Sequence, residues 1–206
     1  KTWIEGDAIQ QLQTTAKLDG ICRVVGMPDL HPGRGYPVGA AFFSIRRYYP
    51  ALIGGDIGCG MSLWKTDLST NKLSIDKLVK RLGNIDAPLI DKSEAWRERV
   101  RAYQLADTGY EQALGSLGGG NHFAELQQID QCYDDACLTK LEMSQKQILI
   151  LVHSGSRGLG GHILREHVNQ FRHAGLLAES EESTIYLQKH AQALRFSQAN
   201  RRLIAQ

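Results

Sequence analysis

Three features of the sequence predict a mixed α/β (α+β) fold, with sheets flanked by helices and glycine-rich loops at the strand ends. Short runs of branched apolar residues alternate with stretches of helical periodicity. Most of the 21 glycines gather at residues 33–39, 54–60, 115–120 and 155–161, mostly beside predicted strand ends. The 206 residues are 42% hydrophobic and 22% charged, ordinary values for a globular domain with its own core.

The elements follow in order. Ile21 to Val25, Val38 to Ile45, Ser62 to Thr66 and Gln147 to Val152 read as buried strands. Ser74 is placed to cap a helix carrying Leu78, Val79 and Leu82 on one face and ending at Gly83. Residues 93–114 predict a longer amphipathic helix, interrupted near Thr108-Gly109; residues 161–173 predict another, and 181–205 a final long one. No repeat, low-complexity tract or linker interrupts residues 1–206, so a single domain is expected.

Composition excludes some classes. The longest apolar run, Ile148 to Val152, is too short to span a bilayer. A net charge of +2 does not by itself argue for nucleic acid. Basic residues cluster as Arg97, Arg99 and Arg101, and as Arg195, Arg201 and Arg202, which read as solvated helix faces. Cys22, Cys59, Cys132 and Cys137 show no C-x-x-C spacing and follow no secretory leader, so a reducing cytoplasm is expected, with thiols free or metal-bound. The start at Lys1 and the end at Gln206, inside a predicted helix, lead to the expectation of a partial chain.

The chemistry is concentrated in four segments. In Gly54-Gly55-Asp56-Ile57-Gly58-Cys59-Gly60 a carboxylate and a thiol stand three residues apart on flexible backbone, able to converge on a borderline cation; a thiolate can also bridge two cations. A structural cysteine beside a turn aspartate is the plainer alternative, and the glycine context favours ligation. Gly118-Gly119-Gly120-Asn121-His122-Phe123-Ala124-Glu125 offers exposed backbone N–H groups, an imidazole ligand at His122, and an amide and a carboxylate at Asn121 and Glu125 suited to a base edge or sugar hydroxyl.

The apolar run Ile148 to Val152 would deliver His153 to a sheet edge. Ser154-Gly155-Ser156-Arg157-Gly158 then forms an anion-binding turn at the start of a helix, or a strand–turn–helix with incidental polar residues. In Met27-Pro28-Asp29-Leu30-His31, extended backbone puts Asp29 and His31 on one side, and Asp29 is placed to orient a metal-bound histidine. His162 and His167 are out of phase for one helix face and read as surface residues; His173 and His190 have no distinguishing company. No Walker motif, dinucleotide fingerprint or nucleophile elbow is present.

Taken together and in this order, the four segments closely resemble the RtcB family of RNA ligases, and Ala199-Asn200-Arg201 looks similar too. The resemblance implies an RNA ligase that uses GTP and two Mn2+ ions. Such enzymes join RNA ending in a 2′,3′-cyclic phosphate or 3′-phosphate to RNA with a 5′-hydroxyl, in tRNA splicing or RNA repair. It implies metal ligation by Asp56, Cys59, His122 and His153 with Cys59 shared, guanylate contacts from Asn121 and Glu125, and Arg157 near the RNA phosphate. In the family's scheme a histidine takes GMP and passes it to the RNA 3′-phosphate, and the 5′-hydroxyl displaces it. Donor chemistry alone suits zinc equally, so manganese is implied by the resemblance only.

The departures carry their own expectations. The family's chain is about twice this length, so residues 1–206 would be the N-terminal part of the catalytic domain. The guanylylated histidine and one further metal-binding histidine fall outside the matching motifs, and the chain alone is expected not to form an enzyme–GMP intermediate. Pro32-Gly33-Arg34-Gly35-Tyr36 differs from the common pattern, as in a divergent branch with other RNA targets. Two alternatives are a metal-dependent RNA cyclic phosphodiesterase and an inactive RNA- or GTP-binding module working with a partner chain.

Overall fold

In the computed structural model the described residues are 3–81, 84–87, 94–105 and 107–206, less the side chains of Lys72 and Arg99. The elements run α1 (Gly6–Thr15), β1 (Ile21–His31), β2 (Val38–Ser44), β3 (Arg47–Tyr48), α2 (Pro50–Ile53), β4 (Gly60–Ser69), α3 (Ile75–Arg81) and α4 (Glu94–Ala102). They continue with β5 (Phe123–Gln128), α5 (Asp135–Lys140), β6 (Gln147–Ser154), α6 (Gly158–Phe171), β7 (Leu176–Leu177) and α7 (Glu181–Ile204). Helices and antiparallel pairings make the class α+β, as expected from the sequence. Among the described residues no helix is long and apolar enough to cross a membrane.

The chain divides into two compact units, residues 1–54 with 163–188 and residues 55–162 with 189–206. In the first, β1 and β2 pair antiparallel, with the register shifting between Gly26 and His31. The turn between them is fixed by Gln11 on α1: its Nε2 donates to the Gly33 carbonyl at 2.9 Å, and its Oε1 accepts from the Gly33 N–H at 3.0 Å. One amide side chain thereby pairs with both backbone groups of a turn residue whose carbonyl also accepts from the Gly35 N–H at 2.9 Å. Pro50 opens α2 at a position where a missing N–H costs nothing. The buried apolar residues of this unit include Ala8, Leu30, Tyr49, Ile163, Leu176 and Tyr186.

His167 belongs to this core and corrects the surface reading. It is 5% exposed, stacks on Phe171 at 5.3 Å, and its Nε2 lies 3.2 Å from the Ala174 carbonyl. A five-residue spacing from His162 describes phase between two residues only; the packing of α6 decides which one is covered.

In the second unit β6 lies between β4 and β5, antiparallel to both. Ile148, Leu149 and Val152 on β6 are buried, as expected of a central strand with side chains packed on both faces. Met61, His153 and Phe123 stand opposite one another, so they share one face, and Ser62, Val152 and Ala124 share the other. Strand β5 was not anticipated: residues 118–125 read as a glycine-rich loop, yet Phe123 onward pairs with β6. Its alternation is too short and too polar to stand out before the partner strand is known.

The helix expected over 93–114 is shorter than predicted. It ends at Ala102, where Tyr103 and Gln104 close a turn through the Val100 and Arg101 carbonyls and Gln104 adopts φ 49°. Downstream, the Glu111 carboxylate accepts from both the N–H and the hydroxyl of Thr108 at 2.6 Å, just ahead of a separate short 3₁₀ turn over Glu111–Ala113. That local bonding competes with helix continuation. The expected stop at Gly83, with Leu82, lies outside the described residues, and so do residues 93 and 106 of the longer helix.

Candidate metal centre

The strand ends and turns of the second unit bring four side chains to one place. Asp56 and Cys59 lie in the turn before β4, closed by the Cys59 N–H donating to the Asp56 carbonyl at 3.0 Å. His122 directly precedes β5, and His153 is the penultimate residue of β6. Asp56 Oδ2 is 2.8 Å from His122 Nε2. Cys59 Sγ is 3.8 Å from His122 Nε2 and 3.1 Å from His153 Nε2. The donor atoms of Asp56, Cys59 and His122 all lie within 4.8 Å of one another. His153 extends the group: its Nε2 approaches the same thiol, and its ring meets that of His122 edge-on at 5.4 Å.

Both rings are oriented by backbone. His122 Nδ1 lies 3.1 Å from the Leu117 carbonyl and His153 Nδ1 lies 3.0 Å from the Asn121 carbonyl. A carbonyl can only accept, so each Nδ1 donates its proton to backbone. Nε2 of His153 is left facing Cys59, and Nε2 of His122 faces the Asp56 carboxylate, a close pair of acceptors that a shared proton or a cation must bridge. This is how metal-binding imidazoles are held. With one carboxylate and one thiol, the donor set suits a borderline divalent cation. Burial, reinforced by the Asp56 carboxylate, pushes the Cys59 thiol up to about 11, so the metal-free sulfur keeps its proton at neutral pH. Asp56 can approach because Gly155 has no side chain: a Cβ there would overlap the carboxylate.

The remaining predicted residues fall as follows. Asn121 is exposed, and its carbonyl holds His153. Glu125 lies on β5, on the face that carries His153, and accepts from Gln127 Nε2 at 2.7 Å. Arg157 sits in the turn before α6 with φ 55°; its guanidinium lies over Gly118, where only hydrogen leaves room, and its Nη1 is 3.5 Å from His122 Nδ1. Asp29 belongs to the first unit, exposed on β1, with its carbonyl 2.7 Å from His31 Nδ1. All four cysteines are free.

The family model described as tRNA-splicing ligase RtcB matches residues 11–104 and 86–206. The chain belongs to the RtcB family. RNA-splicing ligase RtcB2 of Escherichia coli strain ATCC 25922 is 52% identical over 203 residues, covering 98% of this chain and 53% of its own. RNA-splicing ligase RtcB of Escherichia coli strain K12 is 31% identical over 188 residues, covering 78% of this chain and 43% of its own. The tRNA-splicing ligase RtcB of Nanoarchaeum equitans is 29% identical across 88% of this chain and 50% of its own. The chain thus spans about half the length of the curated relatives it matches.

Two buried polar residues next to the candidate site were given no role by the sequence reading. Asn200 is fully buried and Arg201 is 8% exposed, which corrects the reading of Arg201 as part of a solvated face; Arg195 and Arg202 are exposed as expected. Burial lowers the Arg201 pKa, while Cys59 and Asp56 act to raise it. The available signal was the likeness of Ala199-Asn200-Arg201 to the family, noted without a role attached.

Proposed function

We propose that this chain, as the N-terminal part of one catalytic domain, works in a GTP- and manganese-dependent RNA ligase. It would join 2′,3′-cyclic-phosphate or 3′-phosphate RNA ends to 5′-hydroxyl ends in tRNA splicing or RNA repair in the cytoplasm. The observation that carries this reading is the Cys59 thiol 3.8 Å from His122 Nε2 and 3.1 Å from His153 Nε2, with Asp56 Oδ2 2.8 Å from His122 Nε2. That arrangement supports two cations sharing one sulfur: Asp56, Cys59 and His122 would hold one, Cys59 and His153 the other.

Bound there, divalent cations supply charge neutralisation and alignment for in-line phosphoryl transfer. The protein's own groups do the rest. The Leu117 and Asn121 carbonyls keep the imidazole protons off the liganding nitrogens. Asn121 and Glu125, exposed beside His153, would read the guanylate through an amide and a carboxylate. Arg157 would take an RNA phosphate with its planar fork, since its guanidinium stands next to His122. Asp29 is assigned a supporting catalytic role on sequence pattern alone.

The test uses the 206-residue chain, Mn2+, and short RNAs differing only at the 3′ end. The parent is expected to retain cyclic-phosphate or 3′-phosphate RNA over a 3′-hydroxyl control, in a manganese-dependent way that Cys59→Ala abolishes. Incubated with labelled GTP, it should stay covalently unlabelled. Opening of the cyclic phosphate without joining would favour the phosphodiesterase alternative. Indifference to the 3′ end would overturn the ligase reading.

A further inference from the structure

One face of α7 reaches every arm of the metal centre. Ser197, Asn200 and Arg201 are spaced i, i+3 and i+4, so they line one side of the helix. Arg201 Nη1 donates to the Gly58 carbonyl and the Ser154 carbonyl, each at 2.8 Å, and its Nε donates to Ser62 Oγ at 3.0 Å. Gly58 adjoins Cys59, and Ser154 adjoins His153. A single guanidinium therefore ties the cysteine turn to the histidine end of β6.

Asn200 does the same for His122. Its Oδ1 accepts from the Gly115 N–H at 2.8 Å, and its Nδ2 donates to the Ser116 carbonyl and to Ser154 Oγ, each at 3.0 Å. These bonds fix the turn leading into Leu117. The Leu117 carbonyl, in its turn, sets the tautomer of His122 and lies 3.4 Å from Ser154 Oγ. Ser197 closes the approach: Gly58 has φ 75°, and any Cβ there would overlap the Ser197 hydroxyl.

Simple packing does not explain this face. A buried guanidinium pays a large desolvation penalty, and among the described residues Arg201 meets only neutral acceptors, with no carboxylate at ion-pair distance. An apolar side chain of similar volume would fill the space more favourably. What an apolar residue could not do is hold the Gly58 and Ser154 carbonyls to one point.

We infer that Asn200 and Arg201 are positioning residues for the metal centre: Arg201 sets the spacing of Cys59 and His153, and Asn200 sets the tautomer and placement of His122. The inference rests on the metal-site reading above, because neither side chain is a ligand. Groups that orient ligands in this way contribute about 10–100-fold to metal affinity.

The full chain, stripped of metal and titrated with Co2+ alone, tests this. Thiolate-to-cobalt absorption in the near-ultraviolet reports Cys59 ligation, and thermal melting of the metal-free protein reports folding. Arg201→Lys keeps the charge but loses the fork. It is expected to melt close to the parent, bind Co2+ about 10–100-fold more weakly, and show an altered band at saturation. Asn200→Ala is expected to weaken binding similarly. Should it fail to fold, Arg201→Lys and Arg201→Met decide. Arg202→Met, one residue along and exposed, should match the parent. Folded Arg201 variants with parent affinity and an unchanged band would overturn the inference, as would melting losses without loss of affinity. If Asp56→Ala and Cys59→Ala also bind Co2+ like the parent, the metal site itself is wrong, a separate failure.

Discussion

The β1–β2 ribbon and the β4–β6–β5 sheet are built on opposite plans. In the ribbon the strands are neighbours in sequence, one turn apart, and many side chains remain open, including Val25 at 53% and Phe43 at 59% exposed. In the sheet β6 pairs with strands that begin at Gly60 and Phe123, so the contacts are distant in sequence, and its side chains are covered. The polar groups follow suit. A single amide, Gln11, steadies the ribbon's turn, whereas α7 supplies a buried amide and a buried guanidinium to the turns that carry the candidate donors. Local pairing shapes the ribbon; the candidate site depends on a helix at the far end of the chain.

Three measurements can break or sharpen that contrast. The largest effect belongs to the donors. Cys59→Ala is expected to lower affinity for Mn2+ or Co2+ by more than about 100-fold, beyond the loss from an orienting group, while the β1–β2 ribbon keeps its hydrogen-exchange protection. Calorimetry with parent affinity intact would remove the shared sulfur from the site.

Next comes Gln11→Ala in the ribbon. Losing two hydrogen bonds to Gly33 should destabilise the fold by about 1 kcal/mol in urea melts, with metal affinity unchanged. A change in metal affinity would show that the ribbon's turn is not as independent of the site as its local bonding suggests.

The smallest effect is a pH dependence. Burial lowers the pKa of His167 below its ordinary value of 6.5, and that of His190 likewise. The folded state therefore binds a proton less readily than the unfolded chain. The stability contributed by the neutral rings is present above about pH 6.5 and is lost as pH falls through the lower folded values. Thermal melts between pH 8 and pH 5 should show a decline that starts near 6.5, and His167→Gln should flatten it. A flat parent profile contradicts the burial of His167.

The sequence by itself picked out the candidate donors and their neighbourhoods. Asp56, Cys59, His122 and His153 stand in glycine-rich segments next to branched apolar runs, and such local composition is visible without a fold. It also located β1, β2, β4 and β6, although β1 runs on from Val25 to His31 and only β6 is buried as expected. Strands β1, β2 and β4 are largely open, because apolar runs mark a strand without saying what covers it. Only the tertiary structure decided which ring nitrogen faces the sulfur, since that choice belongs to the Leu117 and Asn121 carbonyls. It alone turned Phe123–Gln128 into a strand and gave neighbouring arginines opposite fates, Arg201 buried and Arg202 in solvent. The physical reason is range. Propensity and periodicity act over a few residues, whereas an acceptor for a buried guanidinium must come from segments about 50 to 140 positions away, and nothing local announces it.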